Sequence, residues 1–164
     1  MKTIPRAPAR LSSWGSVIAA FVALGASGFY SWPALAVGTG GVLLLAVGLV
    51  RGANSAVTIG TFGLFMGGII AGIQSAPVVP VLVSVTFSVL AWDVGGSAIS
   101  IGKHLGRDAD TRRIEAVHMT SSGVVGVVTA SMGYGLYRTG TGEQPVAALV
   151  FLLIAAVLLV EALG

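Results

Sequence analysis

The sequence predicts an all-α, polytopic membrane protein with six transmembrane helices arranged as three antiparallel hairpins. Apolar residues make up 55% of the chain and charged residues 9%, and the mean hydropathy is +0.94. Continuous apolar runs of about 20 residues recur along the chain, which is the length that a helix needs to cross a bilayer. A β-barrel would instead alternate apolar and polar residues in segments of about 10. A soluble domain carries roughly 25% charged residues, so this chain has too few to cover a surface in water.

The six helices follow one another along a single domain, residues 1–164. The connections SWP, RGAN and SAP are short, so the helices that they join must be antiparallel neighbours. Pro33, Pro77 and Pro145 open the second, fourth and sixth helices, because the first helical turn does not need the missing N–H. The predicted spans are 13–30, 33–50, 54–74, 77–93, 114–137 and 145–161.

Basic residues predict the orientation of these spans. If the tail 1–12 is cytoplasmic, one side of the membrane carries eight of the nine Lys and Arg residues, and Arg138 stands alone on the other. Cytoplasmic loops are enriched in Lys and Arg. We therefore expect a plasma-membrane protein with both termini in the cytoplasm. The cytoplasmic set is Lys2, Arg6, Arg10, Arg51, Lys103, Arg107, Arg112 and Arg113.

The first span has an alternative interpretation. The basic start MKTIPRAPAR, an apolar run and the ALA at 34–36 resemble a signal peptide with its cleavage site. Cleavage would leave a chain that begins near Val37 and has one span fewer.

A pattern in the three outer turns predicts where the fourth helix ends. Each turn reads glycine, an apolar residue, a hydrogen-bonding residue and then proline, starting at Gly28, Gly72 and Gly135. The first interval is 44 residues and the second is 63, so the second holds 63 − 44 = 19 extra residues. The pattern places those residues in a cytoplasmic amphipathic insertion, 94–113, and ends the fourth helix at Asp93. With 24 glycines in the chain, chance matches are the alternative.

Two ionisable residues are candidates for a role in transport, namely Asp93 and His118. An ionisable residue inside a membrane helix is a functional hypothesis by default. The turn pattern instead places Asp93 at the inner boundary, next to Trp92, and His118 at the inner mouth of the fifth span. Both positions, buried and interfacial, remain open for Asp93.

Small residues predict how the helices associate, because lipid tails are as apolar as leucine and close packing must hold the bundle together. The third span contains two GxxxG motifs and the fifth carries spaced glycines, so we expect spans one, three and five at the centre. Packing within one chain is the simpler interpretation, and homo-oligomerisation is the alternative. The packing candidates are Gly63, Gly67, Gly68, Gly72, Gly123 and Gly126.

The segment 95–115 gathers much of the charge of the chain. Seven of the fifteen Asp, Glu, Lys and Arg residues lie between Lys103 and Glu115. We expect an amphipathic surface helix that contacts a partner or anionic lipid; a solvated loop that only anchors topology is the alternative. The candidate contact residues are Lys103, His104, Arg107, Asp108, Asp110, Arg112 and Arg113.

The stretch AWDVGGSAISIGKHLGRDADTRRIEAVH, residues 91–118, resembles the signature of an uncharacterised haloarchaeal membrane-protein family. Members of that family look more acidic at two positions, where this chain has Gly96 and Lys103. The resemblance implies genes kept beside a MoxR-type AAA+ ATPase and von Willebrand-like proteins, and hence a cytoplasmic partner such as an AAA+ ATPase. It supplies no catalytic residues.

The sequence contains no motif that is typical of an enzyme active site, and we predict that the protein is not an enzyme. The chain has no cysteine, and His104 and His118 lack the spacing of a zinc-protease motif. We therefore predict no catalytic residues, no cofactor and no metal. We also predict no binding to nucleic acid, because the basic residues flank apolar runs and do not form one continuous stripe. The expected function is a non-enzymatic membrane subunit or scaffold that docks a partner through 95–115. The alternative is a small transporter or channel that uses Asp93 and hydroxyl-lined helices.

Overall fold

The computed structural model describes residues 8–105, residues 112–139 and Ile154. This part of the chain is helical and contains no strand. Helices α1 to α4 are long and apolar enough to cross a membrane. The described residues therefore have the structure of a helical membrane protein. Its five helices are α1 (Arg10–Gly28), α2 (Trp32–Arg51), α3 (Asn54–Ile73), α4 (Val78–Leu105) and α5 (Arg112–Thr139).

Predicted spans one, two, three and five correspond to α1, α2, α3 and α5, with bounds that differ by no more than three residues. Helix α5 is long enough to cross a membrane but less apolar than the others, because glycines, hydroxyls and tyrosines interrupt its valines. Apart from Ile154, the sixth predicted span, 145–161, lies outside the described residues. Six spans therefore remain a prediction.

Local chemistry sets the ends of α2. The Ser31 side chain accepts a hydrogen bond from the Ala34 backbone N–H, and Pro33 occupies the first turn. Serine is a preferred N-cap because its oxygen satisfies a donor that the helix leaves unpaired. Gly52 ends α2 in the left-handed conformation, with φ of 64°. Glycine adopts that conformation without the steric cost of a Cβ, and the chain turns directly into α3.

The beginnings of α1 and α3 and the end of α2 lie together, and we call this the basal end of the bundle. The Ala9 N–H donates to the Ala98 carbonyl of α4 at 2.9 Å. A Cβ built on Gly96 of α4 would lie 3.6 Å from the Asn54 Oδ1 of α3. The basal ends of α1 and α3 are therefore level with residues 96–98 of α4.

The prediction that the fourth helix ends at Asp93 is wrong, because α4 continues to Leu105. Its 28 residues make a helix about 42 Å long at 1.5 Å per residue. The last seven residues extend about 10 Å beyond the basal ends of α1 and α3. The glycines at 95 and 96, which the sequence analysis placed outside the span, lie within this helix. Gly95 is buried where α4 meets α1 and α3, since a Cβ there would lie 2.8 Å from Ser16 Oγ and 3.0 Å from Val57.

Helices α2 and α3 approach each other so closely that their backbones touch. A Cβ on Gly41 of α2 would lie 2.5 Å from the Gly60 carbonyl oxygen, and one on Gly60 would lie 2.5 Å from the Leu45 nitrogen. These neighbours are backbone atoms, so no side chain can move aside to make room. Only glycine fits at this crossing.

Helix α1 packs on α4 through a face of serine and alanine. The buried residues recur every three or four positions, which is the spacing of one helical face. Ser16 Oγ donates to the Ala91 carbonyl of α4 at 2.6 Å, so the hydroxyl joins the two helices directly. The buried residues of α1 are Ser12, Ser16, Ala19, Ala20, Ala23 and Ser27.

Helix α5 packs on α4 and on the beginning of α1, and much of it is exposed. At its start Met119 lies over Gly15 of α1, and near its other end Tyr134 and Tyr137 pack on an apolar cluster from α2 to α4. In the described part of the chain, α5 does not lie at the centre that the sequence analysis expected. Its exposed apolar residues include Val124, Val125, Val127, Val128, Met132 and Leu136.

We expect Gly41→Ala to destabilise the protein and the neighbouring Gly40→Ala to leave it unchanged or slightly more stable. A methyl group at Gly41 would overlap backbone atoms of α3, and overpacking costs about 1–3 kcal/mol. A methyl group at Gly40 would meet no atom within 4 Å, and alanine is favoured over glycine in a helix by about 0.5–1 kcal/mol. Unfolding midpoints in detergent would compare the two variants. Equal midpoints would contradict the α2–α3 contact.

Candidate functional site

Three polar residues of α5 lie on the side that faces α4 and α1. Glu115, His118 and Ser122 are separated by three and four positions, which is the spacing of neighbours along one helical face. Gly126, one turn further on, continues this face, since a Cβ there would lie 3.3 Å from Thr86 of α4. The first part of α5 therefore brings a polar stripe against two apolar helices.

Asp93 of α4 meets this stripe with a single carboxylate oxygen. Ser122 Oγ donates a hydrogen bond to Asp93 Oδ2 at 2.5 Å. His118 Nε2 lies 3.1 Å from the same oxygen, which makes an ion pair whenever the imidazole is protonated. The direction of this contact does not suit a hydrogen bond, so the firm anchor of the carboxylate is Ser122. We call Asp93, His118 and Ser122 the polar cluster.

The polar cluster lies at the side of the bundle, nearer to its basal end. The side chains of Asp93 and His118 are each 38% exposed. Asp93 is 15 residues, about 22 Å, from the start of α4 at Val78 and five residues, about 7 Å, from Ala98, which is level with the start of α1. The two side chains are therefore half-buried between α4 and α5, and part of each faces the surroundings of the bundle.

The polar cluster offers two potential metal ligands, Asp93 and His118. Within residues 8–105 and 112–139, no third histidine or carboxylate joins them to form a group that could hold a metal ion. The Ser122 hydroxyl donates to the carboxylate and not to His118. The arrangement is thus not the serine–histidine pair of a covalent hydrolase, in which the imidazole accepts the serine proton.

A second carboxylate, Glu115, is buried and joins α5 to the beginning of α1. Its side chain is 3% exposed, and its Oε2 accepts from the Ser12 backbone N–H at 2.8 Å and from Ser12 Oγ at 2.9 Å. The N-cap residue of α1 is Ala9, which has no side chain to satisfy the first N–H groups. Glu115 therefore caps α1 from another helix, where a negative charge is favoured by the helix dipole.

The hydroxyls of Thr61 and Ser88, two of the five at membrane depth that could line a polar path (Thr61, Thr86, Ser88, Ser122 and Thr129), are occupied within their own helices. Thr61 Oγ1 donates to the Val57 carbonyl at 3.0 Å, and Ser88 Oγ donates to the Ser84 carbonyl at 2.8 Å. Back-bonding of this kind satisfies a hydroxyl in an apolar setting. Ser122 differs, because its hydroxyl bonds to a carboxylate on another helix.

The candidate contact residues fall at the ends of two helices. Lys103 and His104 belong to the last turn of α4, and Arg112 and Arg113 open α5, where Arg113 is exposed. Arg107, Asp108 and Asp110 lie outside the described residues. The charged segment therefore runs from the last turn of α4 to the first turn of α5.

The candidate packing glycines differ in their surroundings. A Cβ on Gly63 would lie 3.3 Å from Gly41 Cα, one on Gly67 would lie 3.2 Å from the Ala34 oxygen, and one on Gly68 would lie 3.0 Å from Ser84 Oγ. Gly72 lies in the last turn of α3 and its carbonyl accepts from the Ser75 N–H at 3.2 Å. The space around Gly123 is open, and Gly126 packs on α4 as described above.

Sequence reasoning missed Ser12, the role of Glu115 and the bond from Ser122 to Asp93, although it named Ser122 among the hydroxyls at membrane depth. One signal was available for the contact between Ser12 and Glu115, because α1 begins after alanine and lacks a capping side chain of its own. A buried helix end without a cap needs a partner elsewhere. No comparable signal ties Ser122 to Asp93, which is 29 positions away.

Comparison with known proteins gives a family and no activity. The sequence model of a family described as a family of unknown function (DUF7519) matches residues 6–160, almost the whole chain. No curated protein and no solved structure matches this chain significantly.

We expect Ser12→Ala and Glu115→Ala each to lower the free energy of unfolding by about 1–2 kcal/mol, which is the cost of removing a helix cap. The two changes remove one contact, so their combined effect should fall short of the sum. The control is Ser13→Ala, because Ser13 Oγ bonds only within its own turn, to the Ala9 carbonyl. A double-mutant cycle in detergent measures the coupling. Strictly additive effects would show that the Ser12 hydroxyl and the Glu115 carboxylate do not interact, and no loss in Glu115→Ala would show that the carboxylate does not cap α1.

Proposed function

We propose that this chain, which belongs to a family of unknown function (DUF7519), is a non-enzymatic membrane subunit. It docks a cytoplasmic protein through segment 95–115, by the part of that segment that extends beyond the basal end of the bundle. The observation that carries the proposal is the length of α4. Its last seven residues extend about 10 Å beyond the basal ends of α1 and α3. A helix made only to cross the bilayer core would need about 20 residues, and α4 has 28.

The charge of the segment supports contact with a protein. The extension of α4 carries Lys103 and His104, and α5 starts with two arginines. Arginine presents a planar fork that binds carboxylates in a bidentate manner, which lysine does not. An acidic surface on the partner would complement this end of the molecule, and a cytoplasmic AAA+ ATPase is the class of partner that we propose.

The position of the basic residues supports a cytoplasmic basal end. Arg10, Arg51 and Arg113 lie at the basal end of the bundle, whereas Arg138 lies near the opposite end of α5. This distribution is the one that the positive-inside rule requires of a protein in the plasma membrane. Under the proposal, the basal end faces the cytoplasm and both termini lie on that side.

We expect the double change Arg112→Lys and Arg113→Lys to preserve insertion and orientation but to weaken binding of the partner. Lysine keeps the positive charge and loses the bidentate geometry, so a loss of about tenfold in affinity is expected, equivalent to one charge-assisted hydrogen bond. Co-purification and quantitative binding would measure the loss, with Arg138→Lys as the matched control at the other end of α5. Cysteine labelling at Asp110 and at Gly140 would check the orientation. If the double lysine variant binds as the parent does, the segment is a topology anchor and the docking proposal fails.

A second candidate function, a small transporter, is favoured by one observation. Asp93 and His118, which the sequence separates by 25 positions, lie 3.1 Å apart between two helices. Carboxylate and histidine pairs in membrane helices serve as proton relays. The occupied hydroxyls of Thr61 and Ser88 weigh against a continuous polar path, and we therefore rank this function second.

For the transporter, Asp93→Asn should abolish proton-coupled flux in proteoliposomes, because the amide cannot carry the proton, while Ser122→Ala should reduce it. For the docking subunit, neither change should alter binding of the partner. Proton influx monitored with a pH-sensitive dye distinguishes the two functions. Flux in the parent protein that Asp93→Asn abolishes would reverse our ranking, and no flux above that of empty vesicles would uphold it.

A further inference from the structure

An open groove of about 430 Å³ lies between α1 and α2, and none of the residues that line it belongs to the polar cluster. Its α1 wall includes Arg10, Trp14 and Val17, which are spaced four and three positions apart on one helical face. Its α2 wall consists of Ala46, Leu49 and Val50. The volume falls within the range of about 300–1,000 Å³ that is typical of small-molecule sites.

The groove has a cationic end and apolar walls. Arg10 is the first residue of α1 and Val50 is the residue before the end of α2, so both lie at the basal end. Val17 and Ala46 lie deeper, about 10 Å further along the seven residues from Arg10 to Val17. A ligand that fits this gradient carries a negative charge at one end and a hydrocarbon chain at the other.

Arg10 is available for such a ligand. Its side chain is exposed, and within residues 8–105 and 112–139 no side chain forms an ion pair with it. The two carboxylates of the neighbouring helices are held elsewhere, since Asp93 bonds to Ser122 and Glu115 to Ser12. Lys2 and Arg6 precede Arg10 in the sequence and add positive charge to the same tail.

Trp14 marks the depth of the groove in the membrane. Its side chain is 69% exposed although it is large and apolar. Tryptophan is enriched at the level of lipid headgroups, where its ring is in hydrocarbon and its N–H meets water. Arg10 lies one turn nearer the basal end, so with Trp14 at headgroup level it would stand close to a phospholipid phosphate.

We propose that this groove is a binding site for an anionic phospholipid. The Arg10 guanidinium holds the phosphate, with the bidentate geometry that arginine offers to phosphate. One acyl chain lies against Val17 and Ala46, and Trp14 covers the glycerol region. Basic pockets between membrane helices on the cytoplasmic side bind anionic headgroups in this way. This site is separate from segment 95–115 and does not depend on the docking function.

The test uses Trp14 as the reporter. The chain has three tryptophans, so Trp32→Phe together with Trp92→Phe leaves Trp14 as the single fluorophore. This parent protein is reconstituted in phosphatidylcholine vesicles that contain brominated phosphatidylglycerol at increasing mole fraction. A matched series uses brominated phosphatidylcholine in the same background, because bromine quenches an indole that it contacts. We expect the anionic lipid to associate about fivefold more strongly, which is the contribution of one basic residue near a membrane surface.

Comparing Arg10→Gln with Arg51→Gln distinguishes binding at this groove from a general attraction of anionic lipid to the basic surface, and Ala46→Phe tests the apolar part of the groove. Arg10→Gln should lower the association of phosphatidylglycerol to that of phosphatidylcholine. Arg51→Gln removes an exposed arginine at the same end that does not line the groove, and it should leave the preference intact. Ala46→Phe keeps every charge, fills the apolar floor and should weaken quenching by both lipids.

Three results would overturn the proposal. The first is equal association of the two lipids with the parent protein. The second is an equal loss of preference in Arg10→Gln and Arg51→Gln, which would indicate surface charge without a site. The third is full competition by soluble glycerol phosphate, which would indicate a phosphate site that needs no lipid. Failure of soluble glycerol phosphate to compete supports the acyl-chain contact.

Discussion

The close approach of helix backbones at small residues is the constraint on which the rest of the structure depends. Lipid offers no gain from burying apolar surface between helices, so contact distance and hydrogen bonds must supply the association. Gly41 and Gly60 bring α2 and α3 into backbone contact, and Gly95 makes room for the Ser16 side chain of α1, whose hydroxyl bonds to the backbone of α4. A bundle packed this tightly leaves no room in its core for a large polar side chain. Carboxylates can enter only near an end or a side of the bundle, and only with a hydroxyl or N–H partner.

Both carboxylates of the helical core obey this rule at the basal end. Glu115 takes the N–H and hydroxyl of Ser12, and Asp93 takes the hydroxyl of Ser122. A buried carboxylate without such partners would cost several kcal/mol, so each serine makes its carboxylate tolerable in an apolar setting. The consequence is an uneven molecule: both carboxylates lie towards the basal end, and the opposite end holds an apolar cluster that includes Ala34, Ala71 and Val81.

The sequence predicted α1, α2, α3 and α5 well, because apolar length, proline and short connections determine those helices locally. It failed at the end of α4 for a physical reason. A charge followed by two glycines resembles the edge of a membrane helix, yet Asp93 is paired with Ser122 and Gly95 is needed where three helices meet. Those pairings join positions far apart in the chain. A single sequence holds no record of them, whereas a missing N-cap at Ala9 could have pointed to an outside partner for α1.

The polar contacts also explain how a helix as weakly apolar as α5 keeps its place. Its middle is held on α4 at Gly126, and its valine face is exposed. At the basal end it is fixed by Glu115 on α1 and by His118 and Ser122 on Asp93, and further on Tyr134 and Tyr137 pack on the apolar cluster. The polar contacts begin three residues after Arg112. Arg112 and Arg113 therefore open the same helix end that caps α1 through Glu115 and holds Asp93 through Ser122, so a short run of α5 sets its position against both neighbouring helices.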